Sequence, residues 1–246
     1  MKWKKLEMPK KLEFDKETLT DRYGKFYAEP FERGFAHTVG QALRRILLSS
    51  IQGAAVTSIR FNKVLHEFST IPGISEDVME IILNIKELKL KLHSDGPKKM
   101  VLQHKGEKEV KASDLQPDAE IEVMNPDLKI ATLTSRDSEI EIEMEISVGR
   151  GYVSAEKNKK PDQPIGVIPV DSVFTPVIKV NFTVENTMAK HMTDFEKLIM
   201  EVWTDGRINP VDAVAYAAKI LKDHLAIFIN FEEEPEEEEE QKVDEE

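Results

Sequence analysis

Glu29-Pro30-Phe31-Glu32-Arg33-Gly34-Phe35-Ala36-His37-Thr38-Val39-Gly40-Gln41-Ala42-Leu43-Arg44-Arg45-Ile46-Leu47-Leu48-Ser49-Ser50 reads as one helix. Pro30 disfavours helix at the residue before it, and Gly53 stands where a left-handed C-terminal cap is usual. At about 100° per residue, Phe35, Val39, Ala42, Leu43, Ile46, Leu47 and Ser50 share one wide face suited to packing. The other side carries Arg33, His37, Gln41, Arg44 and Arg45, with Leu48 among them. A lone exposed leucine is ordinary. Two arginines beside it supply the charge and rigid hydrogen-bonding geometry of a second contact surface. A helix with two working faces is a joint.

Upstream, Leu12/Phe14 and Tyr23/Lys25/Tyr27 are spaced by two, as in edge strands. Downstream, Ala55 to Phe68 returns to period two until Ile71-Pro72-Gly73 breaks it. Ser75 is placed to cap a short helix carrying Val78, Ile81, Ile82 and Ile85. Leu88 to Leu92 alternates, Asp95-Gly96-Pro97 turns, and Met100 to His104 can return as the paired strand. Glu120 to Met124 and Lys129 to Leu133 fit two more strands. Ile140, Ile142, Met144, Ile146 and Val148 define one face of a further strand, and the glutamates between them its solvated face.

Gly149-Arg150-Gly151 lacks the further glycine, the Lys-Ser/Thr pair and the helix of a phosphate-binding loop, and reads as a bulge or turn. Residues 156 to 165 form an exposed loop, and Val167 to Val184 is strand material broken by Pro169 and Pro176. Thr193 to Trp203 places Leu198, Met200 and Val202 on one face and Ile199, Glu201 and Trp203 on the other, which is a strand ended by Asp205-Gly206. Asn209 and Pro210 then start a helix whose Val211, Val214, Ala218, Leu221, Leu225 and Phe228 step by three and four. That stripe needs another helix. Residues 232 to 246 are expected to be a disordered acidic tail or linker.

Of the net charge of −12 over 246 residues, eleven acidic side chains and one lysine between residues 232 and 246 carry −10, which leaves −2 for the body. A nearly neutral body with an acidic tail gives little counterion release, so tight duplex binding is not expected and partners are proteins. No apolar run approaches the ~20 residues of a membrane helix, and the basic N-terminus lacks the apolar core of a secretory signal. With no cysteine there is no disulfide or thiol catalysis, in keeping with a reducing compartment.

The helix quoted above closely resembles the signature helix of the bacterial-type RNA polymerase α subunit family. The match continues through Val64-Leu65-His66-Glu67-Phe68, Glu76 to Lys86, Gly149-Arg150-Gly151-Tyr152-Val153 and Thr204-Asp205-Gly206-Arg207-Ile208-Asn209-Pro210, and spans about Phe14 to Phe231. It implies an α+β fold in which residues 1–52 with 178–231 form a discontinuous dimerisation subdomain, two long helices on an antiparallel sheet. Residues 53–177 are then an inserted mainly β subdomain.

The resemblance further implies a non-catalytic homodimer that serves in transcription as assembly platform for the β and β′ subunits, to which the nucleotidyl transfer belongs. Carried over by position, Phe35, Val39 and Ile46 are dimer positions, joined by Val214, Leu221, Leu225 and Phe228 of the last helix. Arg45 and Leu48 are β contacts, and Lys86, Val170 and Lys197 are β′ contacts. The implied location is the bacterial cytoplasm, on the nucleoid through the polymerase, or a plastid. Family chains continue past an acidic linker into a small helical domain that touches promoter DNA; this sequence ends at Glu246, so no DNA contact is carried over.

Motif chemistry points the same way. His-Glu-x-x-His, paired Asp-x-Asp, Gly-Lys-Ser/Thr and a nucleophile elbow are all missing, and the six histidines have no ligand spacing. His66-Glu67 are strand neighbours pointing to opposite faces. No catalytic, metal or cofactor residue is assigned. The competing reading is a small-molecule enzyme with a site assembled from sequence-distant residues.

Overall fold

The computed structural model describes residues 6–62, 64–94, 96–189 and 192–229, with side chains at all of these except 189 and 192–194. The expected disorder of 232–246 lies outside them, as does Asp95 of the expected turn.

The chain opens with β1 (Glu13–Phe14), β2 (Tyr23–Glu32), α1 (Phe35–Ser49) and β3 (Gln52–Phe61). Then come α2 (Val78–Lys86), β4 (Leu90–Leu92), β5 (Lys98–Lys105), β6 (Lys108–Lys111), a 3-10 turn at Ala112–Asp114, β7 (Leu115–Gln116), β8 (Ile121–Val123) and β9 (Lys129–Leu133). β10 (Glu139–Arg150), β11 (Tyr152–Val153), α3 (Ala155–Asn158), β12 (Val167–Pro169) and β13 (Ser172–Val173) lead to the long hairpin β14 (Val177–Ala189) and β15 (Met192–Thr204), and α4 (Pro210–Ala226) follows.

Among the described residues the strands pair antiparallel, in a four-stranded sheet ordered β1-β2-β15-β14, a seven-stranded one built on β7-β5-β10-β3-β4-β8 with β12 also on β3, and two two-stranded pairs, β6 with β9 and β11 with β13. The α+β class read from the sequence holds. Apolar side chains collect in two separate cores. One holds Phe26, Ala36, Leu47, Leu198, Met200, Val202, Val214 and Ala217, between the four-stranded sheet and α1 with α4. The larger one lies under the seven-stranded sheet and α2, around Ile59, Ile81, Ile85, Leu90, Leu102, Ile142 and Met144.

Several local expectations are corrected. Residues 29 to 32 belong to β2, because Phe31 and Glu32 pair with Glu196 and Phe195. The helix begins only after Gly34, whose φ of 89° makes the turn from strand to helix. At the other end Ser50, not Gly53, is the C-cap. Gly53 lies in β3, where a Cβ would sit 2.1 Å from the carbonyl oxygen of Phe174. Asp77 caps α2 in place of Ser75, accepting from Glu80 N–H at 2.7 Å while the Glu80 carboxylate accepts from Asp77 N–H at 3.3 Å. β4 does not pair with β5: it bridges β3 and β8, and β5 instead matches Leu102 and Met100 to Ile142 and Met144 of β10. β3 stops at Phe61, short of Phe68. The glutamates of β10 are not simply solvated, since Glu143 pairs with Arg60 and Lys99, and Glu145 with Lys160.

Candidate assembly surface

The wide apolar face read on α1 divides in two. Ala36, Gly40 and Leu47 are buried against the four-stranded sheet, with Leu43 beside them. The helix lies so close that a Cβ on Gly40 would meet Phe182 Cδ2 at 2.7 Å and Leu198 Cδ1 at 2.9 Å. Small residues in the first half of the inward line let the helix sit down, while Phe35, Val39 and Ile46 are left on its flank. There Phe35 is 48% exposed, and Val39 and Ile46 are half-buried. Turned from that flank, Arg44 and Arg45 are exposed, and the His37 ring stands edge-on to Phe182 at 5.5 Å between centroids.

α4 follows the same logic along its length. Asn209 caps it by accepting from Val211 N–H at 2.9 Å, and Pro210 occupies its first turn. Its first two turns bury Ala213, Val214 and Ala217. Val214 is 5% exposed, so this position of the sequence-read dimer stripe is filled by the chain's own core. Beyond Leu221, which is half-buried, the helix leaves that core: Leu225 is 52% exposed. The helix ends at Ala226 with Ile227 as its C-cap, so Phe228, 76% exposed, lies just past α4 and not on its stripe as read from the sequence. Ile227 and Ile229, which the sequence reading did not single out, are bare beside them.

Leu48 is half-buried and packs on the core of its own sheet, so it is not the exposed leucine read from the sequence. Arg45 is the freely displayed member of that pair. Lys86 and Val170 come together: Lys86 Nζ is 3.2 Å from the Asp171 carboxylate, and Val170 next to it is 3% exposed, in the larger core. Lys197 lies on the other sheet, 5.0 Å over the Tyr27 ring and 3.2 Å from Glu29.

The Ala155 N–H, and after it Lys86, hold the Asp171 carboxyl below the usual carboxylate range. A depressed carboxylate contributes stability that is present above its unfolded value near 3.9 and lost as pH falls through the folded value. Asp171→Asn keeps an acceptor for Ala155 but loses the charge. It should therefore cost about 0.5 kcal/mol at neutral pH, small because the pair is solvent-screened. In urea melts the difference should begin to shrink as pH falls below about 4 and vanish only once pH is below the depressed folded value; a difference that stays constant through that fall would assign the effect to packing.

Among the described residues no three His, Cys, Asp or Glu side chains cluster as a metal site requires, and no helix is long and apolar enough to cross a membrane. Residues 59–175 match the RNA polymerase Rpb3/RpoA insert domain. The chain is 52% identical to the DNA-directed RNA polymerase subunit alpha of Geobacter metallireducens over 99% of this chain and 72% of that one. It is 54% identical to that of Pelobacter propionicus, over 95% and 68%, and 55% identical to that of Symbiobacterium thermophilum, over 87% and 68%. The chain belongs to the DNA-directed RNA polymerase subunit alpha family.

Membership of the alpha family makes the chain part of a nucleotidyl-transferring complex, and the small-molecule-enzyme reading finds no support among these relatives. Two features of this alpha chain escaped the sequence. Ala36 and Gly40 were passed over because a small residue carries no hydropathy signal for close approach. Arg207 stands in the sequence only as one residue of the matched run Thr204 to Pro210; its companion Asp205, two residues away across Gly206, is the available sign of a local ion pair.

Proposed function

We propose that the chain is a non-catalytic, cytoplasmic platform of RNA polymerase that dimerises and on which the β and β′ subunits assemble. The observation that carries this is the presence of two apolar surfaces, the Phe35/Val39/Ile46 flank of α1 and the bare Leu225 and Phe228 at and just past the end of α4, in a chain of the alpha family. Exposed apolar side chains grouped on two helices mark a partner surface, and self-association satisfies both at once. The chain then comprises the two subdomains expected, 1–52 with 178–231 and 53–177. The two separate cores and the match of 59–175 to an insert domain support that division.

In this reading Arg45 meets β from the side of α1 turned away from the dimer flank, with Leu48 bracing the helix beneath it. Lys86 and Lys197 offer charge to β′, while Val170 shapes the surface from below. Arg45→Ala is a cleaner test than the double change with Leu48, whose truncation would also disturb the core. Loss of an interfacial arginine removes about 2 kcal/mol or more, at least ~30-fold in affinity. The dimer and its melting temperature should stay as they were. Pull-down of β by the dimeric variant decides: undiminished capture places β elsewhere, and a shift to monomer means the two faces of α1 have been exchanged.

A further inference from the structure

The chain passes twice between the two cores, from α1 into β3 through residues 50–54 and from β13 into β14 through residues 174–177. No described helix or strand of one core packs extensively on an element of the other. Two chain crossings without a broad interface form a hinge, and interfaces between packed units in one chain allow relative motion unless something fixes them. A cleft beside the crossings, lined by Ser50, Gln52, Arg150, Tyr216, Lys219 and Asp223, lies between α4 and the ends of β3 and β10 and would change shape with such a motion.

We infer that the Arg207 guanidinium is the lock that fixes the angle between the two cores. It sits in the turn between β15 and α4, on the side of the smaller core. Nη1 donates to the Ala54 carbonyl at 2.7 Å, on the first crossing, and Nη2 to the Thr175 carbonyl at 2.7 Å, on the second. Asp205 aims the fork, accepting from Nε at 2.8 Å and lying 2.7 Å from Nη2, while its own backbone N–H donates to the Pro176 carbonyl at 3.0 Å. The two side chains are 4% and 6% exposed. A buried ion pair adds little net stability over apolar packing of the same volume, so its effect falls on geometry. A planar five-donor group holds its donors apart at fixed angles, so Nε, Nη1 and Nη2 each meet a different acceptor; a lysine ammonium directs its three donors from a single point on a flexible stem. Gly53 and Phe174 bring the crossings close enough for one side chain to span them. The lock concerns the angle alone and rests on no partner.

The chain contains no cysteine, so spin labels can be placed at will. Gln41→Cys on α1 and Leu83→Cys on α2 are both exposed and report on the two cores. Labelled chain diluted into excess unlabelled chain gives intrachain distances by double electron–electron resonance. One narrow distance is expected with Arg207 in place, and a broad or two-peaked distribution in Arg207→Ala with unchanged far-ultraviolet circular dichroism. Should Arg207→Ala not fold, Arg207→Lys and Asp205→Asn serve in its place, each expected to broaden the distribution. A narrow distance retained in every folded variant, or a broad one already present with Arg207 intact, overturns the lock.

Discussion

Replacing Leu225 and Phe228 by aspartate should turn the purified chain from dimer to monomer at micromolar concentration. The two side chains are 52% and 76% exposed beyond the part of α4 that its own core holds, so the folded protomer loses little when they change. In a two-fold interface each substitution acts twice. Burying a large apolar side chain is worth about 1.5 to 3 kcal/mol, so four such losses amount to roughly 6 to 12 kcal/mol, well over ~10³-fold in the dissociation constant. The introduced carboxylates add a desolvation cost in the same direction. Sedimentation velocity reads the outcome. A variant that remains dimeric with a native melting curve would move the dimer contact off the end of α4.

Gly53→Ala should lower protomer stability by about 3 kcal/mol, against the usual gain of roughly 0.5 to 1 kcal/mol for replacing a strand glycine. The added Cβ would stand 2.1 Å from the Phe174 carbonyl oxygen and 3.2 Å from Arg207 Nη1. The first obstacle is backbone, with no flexible end to swing aside, so a crossing must move and the Arg207 hydrogen bonds move with it. A fall in melting temperature of about 6 to 12 °C is the expected reading for a chain of this size. Gly40→Ala makes a useful contrast. Its nearest obstacles are the side chains of Phe182 and Leu198, which can give, and helix propensity favours alanine. Its effect should be much the smaller, and equal losses at the two sites would show that the crossings are not tightly apposed.

Periodicity recovered what depends on a chain's own residues. The β15 alternation of Leu198, Met200 and Val202 against Ile199, Glu201 and Trp203 appears in the sheet as read, and so does the Asn209-Pro210 start of α4. Partner choice was less legible, because it depends on residues far away. β4 and β5 are joined by a plausible turn, yet each finds a better apolar match elsewhere in the larger sheet. Pro30 looked like a helix start because its local preference fits one, but the pairing of β2 with β15 extends past it. At the surface, the 100° rule located the two sides of α1 but not which apolar residues face inward. That was settled by how closely the helix sits, through Ala36 and Gly40, and it moved Phe35 to the flank and Leu48 toward the core. Val214 shows the limit on α4: a regular three-four stripe does not say where along the helix the chain's own core ends.

The most direct test of a dimeric assembly platform is the mass of what forms when this chain is produced together with the two large polymerase subunits, measured by native mass spectrometry after affinity capture of β. The expected result is one complex holding two copies of this chain with β and β′, and no stable pairing of β with β′ when the chain is left out. A complex holding a single copy, or β and β′ joining fully in its absence, would contradict it.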